Sequence, residues 1–344
     1  MVVDGLLPDT TLVHVAVLVV TTALIWVGSG WLETSAEHLS AYYGLPAVVQ
    51  GSVVVAVGSS FPELASVVVT ALADSFGMGV GAIVGSAIFN ILVIPSISAL
   101  VTDGPLDVNR TVVYKEAQFY MIAVSALIIT FALAVIYYPA GAGAPLDGNM
   151  TRSLALIPLL LYLLYLFIQW QDVSEYDAET VTGVDLPREW GRLLAGLLLI
   201  LLAVELLVGA VEGLNATFGI PEFIAGVTII AAATSLPDAL VSVRAARGGK
   251  SVTSLGNVLG SNTFDLLVAI PVGVLIAGTA PVSFAIAAPM MGVLTVATIL
   301  LFTFLRTDLS LTGLESYGLL LAYLTFVGWV VGETVGLFGL IQGV

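Results

Sequence analysis

The sequence predicts an all-α polytopic membrane protein with ten transmembrane helices, arranged as two inverted five-helix repeats. Three observations support this fold class: an apolar composition, ten apolar runs long enough to span a bilayer, and a motif that occurs twice at one constant offset. Hydrophobic residues make up 59% of the 344 residues and charged residues only 10%. That balance leaves too little polar surface for a water-soluble protein of this length.

The predicted spans are apolar runs of about 20 residues, the length that crosses the hydrocarbon core as a helix. They lie near residues 11–30, 44–73, 77–101, 114–137, 152–170, 189–212, 220–245, 252–277, 283–305 and 312–340. A barrel is excluded because its strands alternate apolar and polar residues, whereas the run from Leu193 to Val208 is apolar throughout except for Glu205.

The repeated motif is Ser59–Glu63, with sequence SSFPE, which recurs as TSLPD at Thr234–Asp238. The same offset of 175 positions carries Gly85–Asn90 (GSAIFN) onto Gly260–Asp265 (GSNTFD) without a gap. Internal repeats of this kind are typical of duplicated transporter folds.

The repeat divides the chain into two halves. We expect a first five-helix half at residues 1–170 with its repeat at about 44–101, an acidic cytoplasmic linker at 171–188, and a second half at 189–344 with its repeat at about 219–277. Because each half has an odd number of spans, the two halves must be inverted relative to each other.

The basic residues predict the orientation. Eight of the nine fall on or beside cytoplasmic loops if both termini lie outside, and only Arg152 falls on the outer side. The eight are Arg110, Lys115, Arg188, Arg192, Arg244, Arg247, Lys250 and Arg306. This is a strong excess of positive charge on the cytoplasmic side.

Glu63 and Asp238 lie deep inside apolar spans. A charged side chain at mid-membrane costs about 2.5–3.5 kcal/mol on insertion scales, so such an acid usually faces protein, water or an ion. Pro62 and Pro237 precede the two acids, and each frees a carbonyl four residues earlier, near positions 58 and 233. Carboxylates and free carbonyls are ligands for a hard cation.

Hydroxyl and amide groups surround these acids at helical spacing. In the motif they are Ser59, Ser60, Thr234 and Ser235, and on the following helices Ser86 and Asn90, and Ser261 and Asp265. Gly81 with Gly85, and Gly256 with Gly260, predict close helix approach. An oxygen-only ligand set, without Cys and with only two scattered His, suits Ca²⁺ or Na⁺ rather than a soft transition metal.

The two motif pairs together resemble the α-repeats of sodium/calcium exchangers. The resemblance implies that Glu63 and Asp238 bind Ca²⁺ and share in Na⁺ ligation, while Asn90 and Asp265 line the centre of the site. Further ligands implied in the same way are Ser59, Ser60, Thr234, Ser235, Ser86 and Ser261, with the backbone carbonyls of Ala56 and Ala231 at flanking Na⁺ sites.

The resemblance further implies an antiporter that extrudes Ca²⁺ against Na⁺ influx by alternating access in the cell membrane, with no enzymatic activity and no cofactor. We expect membrane lipid as its surroundings, Ca²⁺ and Na⁺ as substrates, no nucleic-acid partner, and a monomer sufficient for transport. Asp238 and Ala87 depart from the usual family residues, Glu and Asn, and are similar to the potassium-dependent branch. Potassium-dependent exchange and Ca²⁺/H⁺ exchange in the same fold therefore stay open as alternatives.

Overall fold

The structure is a computed structural model and describes residues 10–45, 54, 56–102, 104–141, 146–173 and 183–339. Helices form most of this part of the chain. They are α1 Thr11–Tyr42, α2 Ala56–Ser59, α3 Phe61–Leu72, α4 Phe76–Leu92, α5 Ile94–Leu100, α6 Ala117–Tyr137, α7 Arg152–Val173, α8 Leu186–Phe218, α9 Glu222–Ala225, α10 Ala231–Thr234, α11 Leu236–Arg247, α12 Ser251–Phe264, α13 Ile270–Ala277, α14 Phe284–Arg306 and α15 Gly313–Thr334. Three π-helical segments, Thr111–Glu116, Gly226–Ile230 and Asp265–Ala269, continue directly into neighbouring helices.

Within the described residues, eight helices are long and apolar enough to cross a membrane. A ninth candidate is the pair Glu222–Thr234 and Leu236–Arg247, which is bent by 44° at the site where Pro237 removes a helix hydrogen bond. The helical polytopic fold class is therefore confirmed. The predicted span at 44–73 falls partly on residues 46–53 and 55, and half of the acidic linker falls on 174–182, all outside the described residues.

The first and sixth predicted spans are longer than expected, because α1 runs on to Tyr42 and α8 begins at Leu186 and runs on to Phe218. The extension of α1 carries charged residues such as Glu33 and Glu37, which ended the apolar run in the sequence but did not end the helix. Tertiary packing against α8 supports these added turns.

Besides the helices, the described residues include four short strands, which form two antiparallel ribbons. Strand β1 (Leu106–Asp107) pairs with β4 (Ser310–Leu311), and β2 (Asp147–Thr151) pairs with β3 (Thr279–Ser283). All four lie in connections between spanning helices, where extended backbone gains hydrogen bonds by pairing with a neighbouring loop. Each ribbon takes one strand from each half of the chain.

Helices α1 and α8 run antiparallel along each other. A Cβ placed on Gly28 would lie only 2.8 Å from Cγ1 of Ile200, so the helices touch closely at their middles. Nearer one end, Nδ1 of His38 lies 3.0 Å from Oε1 of Glu189. The C-terminal end of α1 therefore lies beside the N-terminal start of α8.

Helix α4 lies at the centre of the molecule, with 15 of its 17 residues buried. A Cβ on Gly81 would collide with the carbonyl of Phe223, and one on Gly85 with the carbonyl of Val227. The close approach predicted for Gly81 and Gly85 is thus confirmed. At Gly256, by contrast, an added Cβ would meet no atom of the described residues within 4 Å, so the close approach predicted for Gly256 is not found in this part of the chain.

Candidate cation site

Two helix breaks place the acids of the repeated motif. Helix α2 ends at Ser59 and α3 begins at Phe61, while α10 ends at Thr234 and α11 begins at Leu236. Glu63 and Asp238 consequently lie in the first turn of a new helix, and both side chains are fully buried. The free amides and dipole of a helix N-terminus favour negative charge at this position.

Each acid accepts a hydrogen bond from the serine of the next long helix. Oγ of Ser86 donates to Oε1 of Glu63 at 3.3 Å, and Oγ of Ser261 donates to Oδ1 of Asp238 at 3.0 Å. Both members of the second pair stand 175 positions after those of the first. The two repeats therefore build the same acid–hydroxyl contact twice.

The motif hydroxyls cross between the halves. Oγ of Ser59 lies 3.1 Å from Oγ of Ser261, and Oγ of Ser235 donates to Oγ of Ser86 at 2.8 Å. Sequence spacing grouped these hydroxyls with the acid of their own repeat, and that grouping is wrong for Ser59 and Ser235. The helix breaks at Ser60 and Ser235 change the chain direction, so the helical face assumed from spacing does not continue through them.

Thr234 behaves in part as an ordinary helix threonine. Its hydroxyl donates back to the carbonyl of Ile230 at 3.1 Å while the side chain lies against Glu63 of the other half. The oxygen of Thr234 keeps its lone pairs for a second partner. The carbonyl of Ala231 accepts from the amide of Ser235 at 3.0 Å, and Ala56 opens helix α2.

The two halves differ where the repeats carry Asn90 and Asp265. Nδ2 of Asn90 donates to Oδ2 of Asp238 at 2.9 Å, a neutral donor on an acid. At the equivalent place Asp265 is itself an acid, whose charge acts on Glu63 and which feels the charge of Asp238. Asn90 therefore satisfies an acid, whereas Asp265 adds a third carboxylate to the two.

Unsatisfied acceptors collect on the side of Glu63 and Asp265. Both carboxylate oxygens of Asp265, Oε2 of Glu63 and the hydroxyl of Ser60 are buried without a hydrogen-bond partner among the described residues. Burial of such groups is costly unless a positive group or a donor satisfies them. Their chemistry fits a hard cation, which prefers oxygen ligands.

Carboxylates alone do not form the site. In the described part of the chain no group of three or more His, Asp or Glu side chains is arranged to hold a metal ion. A cation bound here would therefore draw on the serine and threonine hydroxyls, the asparagine amides and backbone carbonyls as well as on Glu63 and Asp238.

Sequence reasoning missed Asn262, which lies at the centre of the site. Its Nδ2 donates to the carbonyl of Ala87 at 3.2 Å and to the hydroxyl of Tyr120 at 3.3 Å, and its Oδ1 accepts from Nδ2 of Asn90 at 3.0 Å. The available signal was its place between Ser261 and Asp265 in the second repeat. Because the aligned residue is Ala87, a search for polar residues present in both repeats passed over it.

Comparison with known proteins agrees with this architecture. The sequence model of the family described as sodium/calcium exchanger protein matches residues 13–171 and 189–332. The chain belongs to this family. Sodium/calcium exchangers are membrane antiporters and not enzymes, so the expected class of protein is confirmed.

Relatives with similar sequences come from bacteria, archaea and animals. The chain is 28% identical over 277 residues to the inner membrane protein YrbG of Escherichia coli, covering 77% of this chain and 80% of that protein. It is 24% identical over 347 residues to the sodium/calcium exchanger MaX1 of Methanosarcina acetivorans, covering 92% and 97%. A 62-residue stretch, 18% of this chain, is 44% identical to human sodium/potassium/calcium exchanger 5, of which it covers 12%.

Solved structures of the sodium-calcium exchanger NCX_Mj share the fold. The form soaked with 2.5 mM Na⁺ and 10 mM Sr²⁺ superposes with a TM-score of 0.62 at 22% identity, covering 93% of this chain and 99% of that one. The similarity therefore extends over both halves of this exchanger.

Proposed function

We propose that this exchanger carries Na⁺ and Ca²⁺ in opposite directions through one shared site by alternating access, extruding Ca²⁺ against Na⁺ influx. The observation that carries the proposal is the duplicated acid–hydroxyl contact, Ser86 with Glu63 and Ser261 with Asp238. Two equivalent half-sites in inverted repeats offer the same ligands to an ion from either side of a membrane.

The proposed ligand set has two acids at its centre. Glu63 and Asp238 bind Ca²⁺ and share Na⁺, and Asn90 and Asp265 complete the middle of the site. The remaining ligands are the hydroxyls of Ser59, Ser60, Thr234, Ser235, Ser86 and Ser261 and the carbonyls of Ala56 and Ala231. Because Na⁺ and Ca²⁺ compete for the same carboxylates, occupancy by one excludes the other and the two fluxes are coupled.

We propose ten spans in two inverted halves, residues 1–170 and 189–344, joined by an acidic cytoplasmic linker at 171–188. The strand pairings support this number and direction of spans, because paired strands must lie on the same side of the membrane. Strands β1 and β4 belong to loops on the predicted cytoplasmic side, and β2 and β3 belong to loops on the predicted outer side. Both termini then lie outside the cell membrane. Arg306, whose guanidinium stacks 5.0 Å from the ring centre of Tyr114, lies on the cytoplasmic side.

Occlusion of the ion would come from sliding of α1 and α8 across the central helices. The close contact of Gly28 with Ile200 joins these two helices into one unit, so they can move together. Distances between α1 and α3 that stay unchanged between Na⁺ and Ca²⁺ conditions would contradict this step.

A proton-coupled exchange is the second candidate, and the neighbouring carboxylates of Asp265 and Glu63 favour it, because a proton shared between two acids relieves their repulsion. The short similarity to a human sodium/potassium/calcium exchanger keeps K⁺ as a third ion to include in the test.

The test is ⁴⁵Ca²⁺ uptake into proteoliposomes loaded with Na⁺, with K⁺, or with choline and a pH gradient. We expect uptake only with internal Na⁺. The variants Glu63→Gln and Asp238→Asn should each abolish this uptake. The matched control is Asp107→Asn, which changes an acid in an exposed loop strand and should leave uptake intact. Uptake driven by the pH gradient alone would show that the coupling ion is H⁺ and not Na⁺. Near-normal flux in either site variant would refute the shared site.

A further inference from the structure

Glu33 of α1 lies directly beside the candidate site, although it belongs to neither repeat motif. A Cβ placed on Gly58 would lie 3.8 Å from both Cα and Cγ of Glu33, so its side chain packs against the residue that precedes Ser59. The charge of Asp238 also acts on Glu33. The acid is therefore a neighbour of the central carboxylates.

The carboxylate of Glu33 is incompletely satisfied. Its Oε1 is buried and has no hydrogen-bond partner among the described residues, although the side chain as a whole is only partly buried. The charged groups that act on it are Asp238, Glu37 and Arg244. Glu37 and Arg244 are exposed and Asp238 is buried, so Glu33 interacts with both exposed and buried charges.

The position of Glu33 along the helices defines one side of the site. It lies between Gly28, which contacts the middle of α8, and His38, which contacts Glu189 at the start of α8. Arg244 lies near the end of α11. Glu33 is thus on the side where α1 and α11 end, which is the cytoplasmic side in the proposed orientation.

The opposite side has no equivalent of Glu33. At the offset of 175 positions Glu37 corresponds to Glu212, but Glu33 corresponds to Val208, a fully buried apolar residue. Glu212 accepts a hydrogen bond from the hydroxyl of Ser75 at 3.0 Å. Each side therefore carries an outer acid, and the repeat position equivalent to the inner acid Glu33 is apolar.

We infer that Glu33 binds the entering cation on one of the two access routes to the central site. There Ca²⁺ or Na⁺ exchanges part of its hydration shell for the carboxylate of Glu33 before it reaches Asp238. The inference rests on the proposed function in taking the central site to bind these cations. A carboxylate in a partly dehydrated route concentrates cations locally and speeds their transfer inward. At the equivalent repeat position the other route carries the apolar Val208 instead of a carboxylate.

Transport measured separately from each face tests this step. In inside-out and right-side-out membrane vesicles we expect Glu33→Gln to raise the apparent KM for Ca²⁺ about fivefold or more from the face where α1 ends, with the opposite face unchanged. Glu33→Asp should restore most of the affinity, and the control Glu37→Gln should change it little. An equal change at both faces, or none, would overturn the inference.

Labelling of a single cysteine gives a readout that does not need exchange. The chain has no cysteine, so Glu33→Cys and Glu37→Cys each carry one thiol for a membrane-impermeant reagent. We expect both to react from the face where α1 ends, and Ca²⁺ to slow only the reaction at position 33. Reaction from the other face, or a rate at position 33 that Ca²⁺ leaves unchanged, would overturn the inference, whereas a wild type without Na⁺-dependent flux would refute the proposed exchange instead.

Discussion

Asn262 donates a hydrogen bond from Nδ2 to the carbonyl of Ala87, its own counterpart in the first repeat, at 3.2 Å. A residue can touch its counterpart only close to the axis that relates the repeats, so α4 and α12 meet at that axis. Since Ala87 has a methyl group where Asn262 has an amide, only the second repeat supplies a side chain that hydrogen-bonds across the axis. The centre of the site is therefore asymmetric although its flanks are duplicated.

Asn262→Ala should destabilise this exchanger, because it removes the buried hydrogen bonds that the side chain makes to the carbonyl of Ala87, the hydroxyl of Tyr120 and the amide of Asn90. A buried hydrogen bond contributes about 0.5–1.5 kcal/mol to stability. The melting temperature of the purified protein in detergent is the measurement. Asn215→Ala is the matched control, because neither amide atom of Asn215 has a partner among the described residues. An equal melting temperature for both variants would contradict the central role of Asn262.

The sequence predicted the helical class and the helix break at Pro237, because apolar length and proline chemistry are local signals. It did not predict which hydroxyl faces which acid, since that depends on the change of direction at the breaks beside Ser60 and Ser235. The place of Glu33 beside the site was not predicted for another reason. Its counterpart in the second repeat is Val208, so a search for polar residues present in both repeats does not select it. The short strands have too few residues to leave a pattern.

Ser86→Ala and Ser261→Ala should weaken Ca²⁺ binding to a similar degree, because each removes the donor to one of the two equivalent acids. A hydrogen bond to a charged group contributes about 1.5–3 kcal/mol, so we expect roughly a tenfold or larger loss in affinity. Equilibrium binding of ⁴⁵Ca²⁺ measures it. Ser254→Ala serves as control, since its hydroxyl donates to Ser98, at 3.3 Å, and among the described residues it bonds to no acid. A loss confined to one of the two variants would contradict equivalent half-sites.

Gly85→Ala should disrupt the packing of α4 against the segment at 226–230, because the new methyl group would collide with the carbonyl of Val227. Overpacking of this kind costs about 1–3 kcal/mol when the backbone must shift. Gly292→Ala in α14 is the control, since outside its own turn of helix no atom of the described residues lies within 4 Å of the new Cβ and alanine favours helix. We expect thermal stability to fall for the first and to hold or rise for the second. A stable Gly85→Ala would show that α4 can move away from this segment at little cost.

Asp265 and Asn90 distinguish the two half-sites, and substituting each by the other residue type should change how strongly the stability of the protein depends on bound cations. Asp265→Asn replaces an unpartnered carboxylate near Glu63 with an amide that can donate, as Asn90 donates to Asp238 at 2.9 Å. We therefore expect a higher melting temperature in choline buffer without metal, because one source of like-charge repulsion is removed, and a smaller added stabilisation by Ca²⁺. Asn90→Asp should do the reverse, since it sets a second carboxylate against Asp238 and makes stability depend more strongly on bound cations. If Asp265→Asn lowered stability without cations, the carboxylate of Asp265 would have to be satisfied by a donor, and the excess of negative charge on the side of Glu63 would not be what attracts the ion.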